Sequence, residues 1–340
     1  MDNKITKERL SNLMSYDWIA MIVFLVVGII VFELAFAVCG VRLTTGQNFK
    51  YYYDLKIDNS LEPALIDVLF TENNTFSYDV MLINGEIVEE EANTLPSRLK
   101  AQDGDVIITD TVYDEESKEV RANSLIDFVA ENTGIYSFND LLTDGRKYLS
   151  EFLKDEFLSL DENERLLKTT DKENLSTEKI DSAFLIRMKK DNRFRTDEQK
   201  EIGKEYERER IFKLVSELND FEYLLEYGKT HDTFHRYTRF TQTSETAYKE
   251  EDRERYKLLV DAEKEAGREN APYGLKVSGL ANGKHAPQEL FKVVGGTDAS
   301  NVVVMVFNFT QYQKELQFES VAFINSIVRS CSNIYQRDID

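Results

Sequence analysis

Two histidines four residues apart, in His231-Asp232-Thr233-Phe234-His235, come closest in this chain to a catalytic motif. In the zinc-binding H-E-x-x-H pattern such a pair shares one helix face, and an adjacent glutamate activates a metal-bound water. Here the acid is Asp232, one methylene shorter. The segment starts just after Gly228, which does not ensure a helix, and no third ligand is specified among Glu245, Glu250 and Glu251. Gly228-Lys229-Thr230 matches the end of a phosphate-binding loop, but Tyr223 stands where the first glycine belongs and a helical pattern precedes it. His285 lies in a Gly-Lys-His-Ala-Pro loop, neither cysteine has a histidine nearby in sequence, and the serines lack the G-x-S-x-G context. The expectation is a protein that is not an enzyme, with no catalytic residue, metal site or cofactor. A zinc hydrolase built on His231 and His235 is the alternative.

Glu33 is chemistry of another kind, a carboxyl group inside an otherwise apolar run from Trp18 to Val41. A run of that length satisfies the ~20 residues that a membrane-spanning helix needs. It exceeds the ~7 to 15 residues of a signal-peptide core, and it lacks an A-x-A site. Phe36, Ala37 and Val38 do not form a lipidation site ahead of Cys39. A carboxyl group within a span costs a few kcal/mol and is a functional hypothesis by default. It pairs with a companion membrane protein or lies close enough to the outer interface to reach water. Lys4, Lys7 and Arg9 before the span nearly balance Arg42, Lys50 and Lys56 after it, and the short basic tail tips the orientation toward a cytoplasmic N-terminus. The expected divisions are a cytoplasmic tail (1–16), a transmembrane helix (17–41) and a large extracytoplasmic domain.

The formal charge of −20, from 62 acidic and 42 basic residues, repels phosphate backbones, so nucleic acid is excluded as a partner. The same charge is expected to keep the domain away from an anionic lipid surface. With Cys39 in the span and Cys331 near the C-terminus, no intrachain disulfide staples the domain. A chain of this length builds its core without one.

Along the domain, Phe49 to Ile57 reads as a strand, followed by a helix opened by Asn59-Ser60 and ending near Phe70. Ser77 to Ile83 and Glu86 to Glu90 flank Asn84-Gly85, the strongest short hairpin signal. A helix over 92–102 then leads to the strand Asp105 to Asp110, giving a β-α-β-α-β order over 42–145. From 146 to 270 strand signals nearly vanish. Ile180, Phe184 and Met188 form one stripe, Ile211, Leu214, Val215, Leu218, Phe221 and Leu225 another, and a charged helix is expected over 244–267. From 271 to 340 the α/β pattern returns with Tyr273 to Leu280, a helix from Pro287 to Val294, the apolar run Asn301 to Phe309, and a closing helix carrying Val321, Ile324, Val328, Cys331 and Tyr335. The fold class is α/β, a sheet interrupted by a helical lobe and then completed.

This order of elements, with the strand DGDVIITD, resembles the substrate-binding proteins of bacterial ABC importers. The KERLSNLMSYDW, LPSRLKAQDGDVIITD and RMKKDNRFRTDEQKEIGKEYERER stretches are similar to uncharacterised single-span surface proteins of Gram-positive bacteria such as clostridia. The resemblance implies a polar solute as ligand and an ABC transporter or another membrane protein as partner. Ligands of open α/β sheets sit beyond the carboxyl ends of strands where strand order reverses. The candidates there are Asp58 and Asn59 after the first strand, Thr109, Asp110 and Tyr113 after DVIITD, and Asn308 and Thr310 after the last strand. Their polar groups suit a polar or cationic solute, with Tyr113 as a stacking face. An envelope assembly protein acting through protein contacts is the alternative.

Overall fold

The computed structural model describes residues 7–8, 18–39, 48–54, 82–87, 104–110, 113–114, 119–120, 135–236, 261, 264–265, 271–291, 302–308 and 318–336. The expected helices over 59–70 and 92–102 lie outside these residues. Of the one over 244–267 only positions 261, 264 and 265 fall inside, all helical.

Helix α1 (Trp18–Cys39) holds the apolar run, and its described side chains, Trp18 and residues 21–33, are exposed on every face. The domain then opens with strand β1 (Asn48–Asp54), followed by β2 (Leu82–Ile87), β3 (Val106–Asp110), and the short pair β4 (Tyr113–Asp114) and β5 (Glu119–Val120). Next come helices α2 (Phe138–Ser150), α3 (Glu162–Lys168), α4 (Thr177–Arg187) and α5 (Asp197–Tyr227). Strands β6 (Phe234–Arg236) and β7 (Pro272–Lys276), helix α6 (Pro287–Leu290), strand β8 (Val302–Val306) and helix α7 (Glu319–Cys331) complete the order.

Six strands form one mixed sheet in the order β2-β1-β3-β8-β7-β6. The first three are parallel, and β8, β7 and β6 each run antiparallel to their neighbours. Alternation decides which residues meet the helices. Phe49, Tyr51, Val106, Ile108, Leu275, Val302 and Val304 join the main apolar cluster, while Tyr52, Ile107, Val303 and Met305 are buried on the opposite face. The expectation that NVVVMVFNF is a strand covered on both sides holds, since all of β8 is buried.

The expected Asn84-Gly85 hairpin is corrected. Leu82 to Ile87 is a single strand that passes through the pair, with Tyr51 opposite Gly85 in a parallel ladder to β1. Turn preference is worth only about 1 kcal/mol, and a six-residue ladder outweighs it. Two further expected elements are shorter than expected: β7 gives way at Val277 to a single 3-10 turn, and the helix from Pro287 is one turn long.

Both apolar stripes of the middle segment are buried. The 31-residue α5 opens on a Thr196–Gln199 capping box and closes at Gly228. Its buried face shares one continuous apolar core with α2, α4, α7 and the sheet, through contacts such as Phe138 on Phe221 and Phe323 on Tyr51. β6 also lies within 146–270, so this stretch completes the sheet as well as covering it. Helices α2, α4, α5 and α7 and the sheet therefore share one core, with no crevice between two lobes among the described residues.

Two glycines are fixed by close approach. Gly104, at φ 119°, turns the chain into β3 where a Cβ would meet the Tyr52 ring. Gly283 lies against the end of α7, where its N–H donates to Cys331 O at 3.2 Å and the His285 N–H donates to Ser330 O at 2.9 Å. These bonds satisfy carbonyls that a helix end leaves open. A Cβ on Gly283 would lie 2.2 Å from the Cys331 carbonyl carbon and 2.3 Å from Ser332 N, backbone atoms that cannot swing aside. Gly283→Ala is expected to cost roughly 1–3 kcal/mol, read as a lower denaturant midpoint at unchanged slope.

Candidate functional site

Strand order reverses at β1, which has β2 on one side and β3 on the other, all parallel. In open α/β sheets the loops leaving two such strands diverge to opposite faces and leave a crevice beyond the carboxyl ends. Here those ends are Asp54 on β1 and Thr109-Asp110 on β3, with Asp54 in register with Thr109. Two aspartates thus end adjacent strands, and Thr109 is fully buried beside them. Tyr113 follows three residues after Asp110, in the β4–β5 pair, where it is opposite Val120.

The other sequence candidates do not assemble there. β8 is antiparallel to β3, pairing Val106 with Val306 and Asp110 with Val302, so its carboxyl end lies beside the start of β3. Asn308 is therefore on the opposite edge of the sheet, near Asp105, whose carbonyl accepts from Phe307 N at 2.9 Å. Its Oδ1 is buried without a hydrogen-bond partner among the described residues. Asp58, Asn59 and Thr310 lie outside the described residues.

The histidine pair does not share a helix face. His231 sits in the turn after α5, its ring stacked 3.7 Å from Tyr227 and its Nδ1 3.0 Å from Tyr227 O. His235 is in β6, half-buried, and burial reinforced by Lys276 lowers its pKa against the opposing pull of Asp232. No cluster of three or more potential metal ligands occurs among the described residues. Cys331 is buried, and that burial pushes its thiol up to about 12, which leaves it a poor nucleophile at neutral pH.

Two concavities lie away from the sheet edge. One, of about 700 Å³, is lined by Lys154, Asp155, Lys172, Lys179 and Phe212 among others. Two of its lysines are engaged locally, Lys179 Nζ lying 2.8 Å from Asp155 and donating to Leu153 O, and Lys154 donating to Glu173 O. The second, of about 360 Å³, is formed by the Ser278–Pro287 loop against Cys331.

Sequence reasoning missed a buried ionic network between helices. Glu207 of α5 accepts two bonds from Arg187 of α4, at 2.9 and 2.5 Å, and two from Arg210, at 3.0 and 2.7 Å. Arg210 also bonds Glu319 of α7 and Tyr148 of α2. Further along, Glu217 is held by Arg329 at 2.9 Å through both oxygens and by Asn325 at 2.8 Å. These groups clamp four helices in fixed register, and none of them lines either concavity.

Among the described side chains no helix is long and apolar enough to cross a membrane. The backbone helix runs on to Cys39, a length of about 33 Å over its 22 residues. No protein-family model, curated protein or solved structure matches this chain.

Proposed function

We propose that this chain is a single-pass, membrane-tethered binding module, its N-terminus cytoplasmic and its α/β domain extracytoplasmic, recognising a polar and preferably cationic solute and serving a transporter or another membrane partner. The observation that carries the binding part is the reversal of strand order at β1, with Asp54 and Asp110 ending adjacent parallel strands. Aspartates at the ends of two adjacent parallel strands are the residue types that would accept hydrogen bonds from ammonium or guanidinium groups. The tether is supported by α1, since a helix that is apolar all round and exposed finds its favourable environment in lipid.

The likeness to importer binding proteins is supported by the three parallel N-terminal strands and by the return of β8 beside β3. It is weakened by the single packed core, which leaves the edge crevice rather than an interlobe cleft as the site. The same fused core supports the alternative of an envelope assembly protein. Glu33, on exposed α1, is the contact proposed for a membrane partner.

Thermal unfolding of the full-length chain in lipid nanodiscs, screened against amino acids, peptides, sugars, polyamines and zinc, tests the binding role. A cationic solute at 100 times its Kd is expected to add about 2.7 kcal/mol of stability, and Asp110→Asn to remove most of that gain. A shift with zinc alone would revive the histidine pair. If nothing shifts the midpoint, solute binding fails and the assembly reading replaces it.

A further inference from the structure

The turn between α4 and α5 departs from the acidic character of the chain. Between 187 and 195 stand Arg187, Lys189, Lys190, Arg193 and Arg195 against one acid, Asp191, in a protein of net charge −20. Two of these cations are used internally: Arg187 on Glu207, and Arg193 on Asp191 at 2.8 Å. Lys189 and Arg195 are exposed. Beside them, Ile186 at the end of α4 is 76% exposed, and Leu185 and Ile202 are exposed as well. The segments meet because the α5 backbone at Gly203 sits against Phe184 and Phe194. Asp197, which follows, is paired with Lys200 at 2.9 Å, and Glu198 is exposed one position later.

We infer that this tip docks on the anionic surface of the bilayer that holds α1, Ile186 entering the headgroup region and Lys189 and Arg195 pairing with lipid phosphates. Exposed aliphatic side chains flanked by cations are the chemistry of an interfacial contact. Reach supports lipid over other anions. Eight residues, 40–47, separate α1 from β1 and span at most ~30 Å. The tether joins the domain at Phe49, which packs on Phe323 at 5.7 Å. Helix α7 runs parallel to α5, with Glu319 at Arg210 and Arg329 at Asp220, so Phe323 lies level with about Leu214. From there to Gly203 is about 17 Å along α5, which keeps the tip within range of the same leaflet. Over a Debye length of ~8 Å the local cations outweigh the distant net charge.

This inference rests on α1 being a membrane span, and the test separates the two. The chain has a single tryptophan, Trp18, on α1. The full-length protein and a Trp18→Phe/Ile186→Trp variant are placed in nanodiscs whose acyl chains are brominated near the headgroup, with and without anionic lipid. The introduced tryptophan is expected to be quenched in anionic discs only. Its fluorescence should recover in ~0.5 M salt, where screening shortens to about 4 Å. Adding Lys189→Glu and Arg195→Glu should reduce tip affinity by roughly 25-fold or more, since each basic group near an anionic leaflet is worth about fivefold. An unquenched tip with Trp18 quenched in the parent chain overturns the docking and points to an acidic protein surface instead. Equal quenching in both disc types also overturns it. If Trp18 itself is unquenched, the span fails and the docking falls with it.

Discussion

Glu207→Gln is expected to destabilise the protein by roughly 3–5 kcal/mol, the cost of removing one member of a buried ionic group. Glu207 faces two guanidinium groups, Arg187 and Arg210, with side-chain exposures of 1%, 6% and 2%. A glutamine keeps the shape but removes the charge that both guanidinium groups face, while Arg210 retains Glu319. Glu319→Gln should cost far less. Burial raises the Glu319 carboxyl, with Arg210 offsetting this only in part, so its ionised form contributes little to hold the fold together. The two variants have the same chemistry and similar burial, so a difference in urea midpoint isolates the role of the doubly bonded site.

The same site fixes the acid limb of stability. Burial works against ionisation of Glu207, but Arg210 and Arg187 outweigh it and hold the carboxyl down at about 2, against an ordinary 4.5. A depressed carboxylate contributes stability that is present above about 4.5 and is lost as pH falls through about 2. At ~1.4 kcal/mol per unit this comes to about 3 kcal/mol. Glu319 acts in the opposite sense, contributing below its ordinary value and losing that contribution as pH rises through its raised one. The wild-type midpoint should therefore fall steeply in the acid range, and the Glu207→Gln midpoint much less.

Disrupting the apolar helix α1 is expected to release the chain from membranes. The helix carries fourteen Ile, Leu, Val and Phe residues and one acid, Glu33. On the insertion scale the apolar residues contribute roughly −4 to −8 kcal/mol, and Glu33 takes back at most about 3. Val26→Arg with Ile30→Arg, near the middle of the helix, adds about 5–7 kcal/mol and reverses the sign. The doubly substituted chain is expected to appear in the soluble fraction. Glu33→Leu should leave insertion intact and abolish co-purification with any membrane partner that pairs with the carboxyl group. Retention of the double arginine variant in membranes would mean that α1 is not what holds the protein there.

Much of the fold is legible in the sequence where one physical signal dominates. The runs that became β3 and β8 are continuous and apolar because both sheet faces are covered, and the stripe from Ile211 to Leu225 repeats with the period of the helix that buries it. Asn84-Gly85 misled because turn preference is local, whereas the β1 ladder that holds β2 straight comes from more than 30 residues away. Glu207, Arg210 and Glu217 carry no mark of burial in the sequence, since spacing along α5 cannot reveal that α4 and α7 bring Arg187, Glu319 and Arg329 onto them. The candidate site was half legible. Strand ends mark possible ligand positions, and Thr109 and Asp110 do lie at the reversal of strand order. Asn308 belongs to the other edge, because the direction of β8 relative to β3 is set by pairing and leaves no trace in either segment alone.

Labelling intact expressing cells with a membrane-impermeant amine reagent, and then recovering the chain from carbonate-washed membranes, tests the proposal of an α/β module held outside the membrane by α1. The chain is expected to remain in the washed membranes, and lysines of the domain, such as the exposed Lys189, to carry the label. Recovery in the carbonate supernatant, or an unlabelled membrane-bound chain, would contradict it.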